Sequence, residues 1–167
     1  MTGGTETLRL RPPRNPVERR AITWWATQAL IGWGLIAVVL AILALVIPPA
    51  RLWLVLGFAV IALVGVVDGV FVSRLRYRVH RWEVTEDAVY ARRGWFWQEW
   101  RVAPMSRIQT VDTVRGPLEQ HFRLATVTVT TASAQGAIKI EGLDHEHAAE
   151  LVEQLTAVTQ ATPGDAT

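Results

Sequence analysis

The sequence predicts an α+β membrane protein: an N-terminal transmembrane hairpin of two helices, then a small antiparallel β-barrel or sandwich capped by a C-terminal α-helix. Three observations predict it. Residues 26–47 carry no charge, and residues 52–72 carry only Asp68. Past residue 76 the apolar period turns from helical to strand-like. The chain then ends on an apolar stripe at helical spacing, formed by Ala148, Leu151, Val152, Leu155 and Val158.

The first uncharged run is 22 residues long. At about 1.5 Å per residue it reaches roughly 33 Å, enough for a hydrocarbon core of about 30 Å. The second run follows after only "PPAR", room for a tight turn. A hairpin over residues 21–75 is expected, with helices at about 24–47 and 52–74 and both ends on one side. A cleaved signal peptide fits poorly, because a second apolar run follows at once. Arg9, Arg11, Arg14, Arg19 and Arg20 precede the first helix, and Arg74, Arg76, Arg78 and Arg81 follow the second. The turn holds only Arg51, so the positive-inside rule puts both termini in the cytoplasm, at the inner (plasma) membrane. Trp24 and Trp25 suit the inner interface and Trp53 the outer one. The absence of cysteine excludes disulfides and cysteine-ligated zinc.

Charge divides the chain. Residues 1–81 hold ten arginines and three acids; residues 82–167 hold six arginines, one lysine and twelve acids. The basic part lies beside the membrane, where it meets anionic lipid. The acidic part lacks the basic footprint that nucleic-acid binding requires. Sixteen arginines against one lysine suit a GC-rich bacterial genome.

Residues 1–20, rich in Gly, Pro and Arg, read as a disordered cytoplasmic tail, and 161–167 as a frayed end. The soluble domain is expected over 76–160. "RYRVHRWEV" alternates, with Tyr77 and Val79 on one face. "VYARR" and "WFWQEWRV" form a hairpin centred on "RRG" and ended by Pro104. "RIQTVDTV" breaks strict alternation, so a bulge or twist is expected there. "GPLEQHF" interrupts the strands with about one helical turn, anchored by Leu118 and Phe122. "ATVTVTTA" puts Val127 and Val129 inward, "SAQG" turns the chain, and "AIKIEG" puts Ile138 and Ile140 inward. Asp144 is placed to cap the final helix.

Candidate sites compete with plainer readings. Asp68 is an intramembrane acid, a functional candidate by default. It lies near the inner end at a depth similar to Gln28, so the two form a candidate intramembrane polar pair with a packing role. Gly65 and Gly69 have the small-xxx-small spacing of a close helix contact. His145 and His147 project about 200° apart on a helix, so no metal site is expected there. Arg92 and Arg93 sit beside Trp95, Phe96, Trp97 and Trp100. A basic aromatic hairpin tip suits a membrane surface, with Arg74, Arg76, Arg78, Arg92, Arg93, Trp95 and Trp97 as candidate contacts. The plainer reading puts alternate aromatics in the sheet core. Asp112, Glu119 and His121 form no recognisable catalytic set, so no enzyme activity and no cofactor are expected.

The membrane hairpin, the basic stop, "YRVHRWEVTEDAVYARRGW", "RIQTVDTVRGPLEQHFRLATVTVTTA" and "IEGL" together resemble the bacterial pleckstrin-homology-like (PH domain-containing, YdbS-like) membrane proteins. The resemblance spans about 21–155 and is strongest from Arg107 to Ala132. It implies a PH-like barrel plugged by its C-terminal helix, and a partner in a longer multi-PH-like membrane relative. It also implies a role in envelope stress or antimicrobial resistance, and no catalytic residues. Relatives often carry glycine where this chain has Arg123. The headgroup binding of eukaryotic PH domains does not transfer with the fold.

The functional expectation is a non-enzymatic, membrane-anchored PH-like scaffold or adaptor. Its partners would be the lipid bilayer and either another protein or a second copy of itself. The alternative is a lipid-headgroup-contacting module, and a membrane hydrolase is the weakest reading.

Overall fold

The computed structural model describes residues 13–132 and 136–161. The first twelve residues of the expected tail, most of the "SAQG" turn and residues 162–167 lie outside the described residues.

The chain opens with β1 (Asn15–Pro16) and enters α1 (Arg20–Val46). At 27 residues, about 40 Å, α1 is long enough to cross a bilayer with tilt. A short 3₁₀ turn, Pro48–Ala50, reverses the chain. Proline at its start suits the fixed φ of a helical first turn. α2 (Arg51–Val67) returns antiparallel, passes through one π-helical turn over Asp68–Val72, and continues as α3 (Ser73–Val79). Leu35, Leu45, Leu52 and Leu63 point outward on these helices, as lipid-facing residues do.

The glycines of the second helix face α1. A Cβ at Gly65 would come within 2.9 Å of the Trp33 Cβ, and Gly69 sits against Ala26 and Leu30. Such close approach supplies the packing that lipid, itself apolar, cannot drive.

The second helix runs past the expected boundary near residue 75. Tyr77 and Val79 lie in α3 and not in a strand. No glycine or proline stops the helix there, and Tyr77 packs against the cluster formed by Val17, Ala21, Trp24, Trp25 and Leu124. Seven residues of polar–apolar alternation also describe a helix that is half covered.

β2 (Arg81–Val84), β3 (Ala88–Arg93) and β4 (Glu99–Pro104) form a meander, and β1 pairs antiparallel with β2. Asn15 lies opposite Trp82, and Pro16 opposite Arg81. The membrane hairpin is therefore inserted between two neighbouring strands of one sheet. This corrects the expected tail: Val17 is buried, and the Glu18 amide donates to the Gly142 carbonyl at 2.9 Å.

The second sheet has β5 (Ile108–Val114), β6 (Leu124–Thr131) and β7 (Ile138–Asp144), in that spatial order. The irregularity expected in "RIQTVDTV" is a register shift between Ile108 and Thr110. α4 (Pro117–His121) crosses between β5 and β6. Leu118 and Phe122 pack on the cluster around Trp24 and Trp25, as expected of anchors. Arg123 then takes φ +54°, the one non-glycine positive φ among the described residues. The left-handed turn is kept without its glycine.

α5 (His145–Ala161) closes the domain. The Asp144 carboxylate accepts from the Glu146 amide at 3.0 Å, so the expected cap is in place. Ala148, Leu151 and Leu155 are buried with Val127, Val129, Ile138 and Ile140, whereas Val158 is exposed beyond the edge of the core.

Candidate membrane-surface site

The end of the domain nearest the hairpin gathers most of the chemistry read from the sequence. Ala21, Trp24 and Trp25 form the first turns of α1, and all three are buried. They meet Tyr77 of α3, Trp82 of β2 and Leu124 of β6. Trp24 and Trp25 are thus not interface tryptophans: the domain covers them before lipid can. Trp53, at the opposite end, is exposed as an outer-interface residue would be.

Gly142 of β7 sits on the first turn of α1. Its φ is +74°, and a Cβ there would come within 2.8 Å of the Ala21 Cβ. Both the backbone conformation and the close approach require glycine. Beside it, the Arg20 guanidinium pairs with the Asp144 carboxylate and reaches the Phe122 carbonyl at 3.4 Å. Burial opposes ionisation of Asp144. The Glu146 amide and Arg20 outweigh it, and its carboxyl is held below the usual range. One carboxylate thus caps α5 and clasps α1. His80 joins helix to strand. Its Nδ1–H donates to the Arg76 carbonyl at 2.8 Å, and its ring lies 5.0 Å from that of Trp25. Burial pushes its pKa down, against the pull of that hydrogen bond.

The expected Gln28–Asp68 pair is not the contact that forms. Asp68 accepts from the Trp33 indole at 3.0 Å, and Gln28 is exposed on α1. Asp68 sits at the π-helical turn, where the altered winding is accompanied by a 3.3 Å bond from Ser73 Oγ to the Asp68 carbonyl. Matching residues by depth alone missed Trp33, because depth says nothing of which helix face a side chain occupies.

The β3–β4 hairpin differs from the plainer reading too. Trp95, Phe96, Trp97 and Trp100 are all exposed, Phe96 at 71% and Trp97 at 82%. Their two flanking arginines are already engaged. Arg92 lies 5.0 Å over the Trp100 ring and donates to Gln98 Oε1 at 2.9 Å. Arg93 pairs with Glu99 at 2.7 Å, and Arg101 joins the same carboxylate at 2.7 Å. These two guanidinium groups lower the Glu99 pKa. Arg92 and Arg93 are therefore both engaged within the hairpin, Arg92 with Trp100 and Gln98 and Arg93 with Glu99. On α3, Arg74 and Arg78 are exposed and Arg76 is half-buried, with Arg74 donating to the Val70 carbonyl at 2.9 Å.

The acid–base candidates are each engaged locally. Glu119 is buried and accepts from the Gly116 amide and the Thr126 hydroxyl, both at 2.6 Å. Asp112 accepts from Thr110, and His121 stands edge-on to Phe122. Among the described residues, no group of three or more metal-ligating side chains converges. The cleft beside His80, Arg93 and Glu141 holds about 10 Å³, no more than one water.

Two antiparallel sheets closed by a C-terminal helix, with a membrane hairpin entering at one sheet edge, define a membrane-embedded PH-like protein. The chain belongs to the bacterial PH domain family, whose model matches residues 21–159 and so includes the hairpin. It is similar to the UPF0699 transmembrane protein YdbS of Bacillus subtilis (strain 168). The two are 31% identical over 157 residues, covering 92% of this chain and 97% of that protein. No solved structure matches it.

Proposed function

We propose that the chain is a non-enzymatic PH-like scaffold, anchored by two membrane crossings with both termini in the cytoplasm, that acts through protein contacts at the membrane surface. The carrying observation is the join between domain and hairpin. Gly142 on Ala21, the Arg20–Asp144 clasp and the buried Trp24–Trp25 pair hold the domain at a fixed attitude to the helices. A tethered catalyst or a floating binding module needs no such join; a surface that must meet a partner in the membrane plane does. The cytoplasmic side is supported by the arginines at the open end of the hairpin against Arg51 alone at the turn.

The partner surface is β5. It is one of the two outer strands of its sheet, and Gln109, Thr110, Thr113 and Val114 are exposed along it. An open edge of this kind pairs with a strand from another chain or from a second copy. Chemical crosslinking of the full chain in its native membrane is expected to give a complex of defined stoichiometry. Thr113→Lys with Val114→Lys should abolish it while leaving the thermal transition in place. Recovery of monomer alone from native membranes would sink the reading. The role in envelope stress rests on the family resemblance, and a strain lacking the chain should be more sensitive to membrane-acting antimicrobials.

A further inference from the structure

We propose that the β3–β4 loop is a third membrane anchor: Phe96 and Trp97 enter the interface of the leaflet from which the two helices emerge, and so fix the tilt of the domain.

Topology places the loop. β2 begins at Arg81, with only His80 between it and the helix end at Val79, and it runs away from that end. β3 runs back antiparallel, with Arg92 opposite Arg81. The chain beyond Arg93 therefore leaves the sheet at the hairpin end, and Arg93 is close enough to His80 to influence its charge. The strand continues one residue past Arg92, to Arg93, and the chain then turns over residues 94–98. In the other direction the helix rises about 7.5 Å from Val79 back to Arg74. The exposed rings of the loop therefore lie on the side of the sheet from which the helix continues back through Arg74 to the uncharged membrane segment.

The loop's chemistry suits the membrane surface on that side. Trp95, Phe96 and Trp97 are consecutive and exposed, and they touch one another edge-on, with centroids 5.7 Å and 5.4 Å apart. Aromatic rings favour the headgroup level, with Trp foremost. The presentation is fixed. Gly94 has φ +86°, and a Cβ there would fall 1.9 Å from the Trp97 carbonyl oxygen, so the tight turn that projects these rings admits glycine alone. The contact is apolar in kind, because Arg92 and Arg93 are spent on Trp100, Gln98 and Glu99. Insertion therefore depends little on salt or on anionic lipid, which separates it from electrostatic headgroup binding.

The chain has no cysteine, so single labels need no prior substitution. A nitroxide is placed at Trp97→Cys, and in a second protein at Glu86→Cys in the β2–β3 turn at the far end of the sheet. Both full-length chains are reconstituted into vesicles of zwitterionic phosphatidylcholine at low protein density. The label at 97 is expected to be relaxed by oxygen and shielded several-fold from a water-soluble nickel chelate. The label at 86 should show the reverse, and neither pattern should change in high salt. Equal chelate access at 97 and 86 overturns the proposal. So does shielding that needs anionic lipid and vanishes with salt, which marks headgroup electrostatics. Shielding found only in native membranes marks a protein occupant and overturns it as well. Trp100→Ser, in which the label at 97 should stay shielded, serves as a check that the loop and not general collapse is being read.

Discussion

The two seams of this molecule, helix against helix in the membrane and domain against helix at its surface, use the same parts in different solvents. Each has a glycine that admits a close neighbour, Gly65 against Trp33 and Gly142 against Ala21. Each has a polar side-chain clasp, Trp33–Asp68 in one and Arg20–Asp144 in the other. What differs is the force that closes them. At the surface seam, burying Val17, Trp24, Trp25 and Leu124 removes apolar area from water. In the membrane seam lipid is already apolar, so closure rests on packing and a hydrogen bond. Equivalent-looking deletions should therefore cost unequal amounts.

The largest effect is expected at the surface seam. Trp25→Ala removes a buried indole and leaves a cavity beside His80 and Gly142, at a cost of about 3–5 kcal/mol. The domain should loosen from the hairpin, and limited proteolysis in mild detergent should cut near His80 while the helices stay protected. A variant that resists protease as the parent does would show that the join is not what holds the domain.

In the membrane seam the corresponding changes should be milder. Trp33→Phe or Asp68→Asn weakens one interhelical hydrogen bond, worth about 0.6 and at most about 2 kcal/mol in lipid. Steric-trap or denaturant unfolding in bicelles measures it. A loss as large as that of Trp25→Ala would mean that Asp68 does more than pack, and would reopen it as a functional acid.

The seams also mark where sequence reading succeeds. The hairpin follows from two apolar runs that hold one charge, Asp68, and β6, β7 and α5 follow from strict periods over Val127, Val129, Ile138, Ile140, Leu151 and Leu155, because one solvent boundary dictates each pattern. What escaped was set by tertiary pairing. Asn15–Pro16 lies in a stretch with no period and becomes a strand only because Trp82 and Arg81 lie beside it. Tyr77 stays helical because Trp24 and Trp25 cover it. Asp68 chose Trp33 by helix face, and Phe96 and Trp97 are exposed because the tight Gly94 turn projects them from the sheet.

A pH titration separates the clasps of the surface seam from each other. His80 has a lowered pKa, so between 6.5 and its folded value the unfolded chain binds more protons than the folded one. Stability from this group is full above 6.5 and declines as pH falls below it. Asp144 is also lowered, and its share is present above 3.8 and lost further into acid. His80→Gln should flatten the first window and leave the second. Unfolding of the full chain in detergent at stepped pH reads both. A first window that persists in the variant would assign it to another group.

The smallest effect is expected where the surface seam meets α4, and it has the opposite sign. Arg123 holds φ +54°, a conformation that costs a side-chain-bearing residue about 1–2 kcal/mol. The turn is kept because its backbone is occupied on both sides: the Arg123 amide donates to the Gln120 carbonyl at 3.2 Å, and its carbonyl accepts from His145 at 3.3 Å. That second bond ties the turn to the start of α5, next to the Arg20–Asp144 clasp. Arg123→Gly removes the strain and adds about 0.5–1 kcal/mol of backbone entropy to the unfolded chain. The side chain is exposed, so little packing is lost. A net gain of up to about 1 kcal/mol should appear as a higher unfolding midpoint with an unchanged denaturant slope. A lower midpoint would mean that the guanidinium, and not the backbone alone, holds the crossing in place.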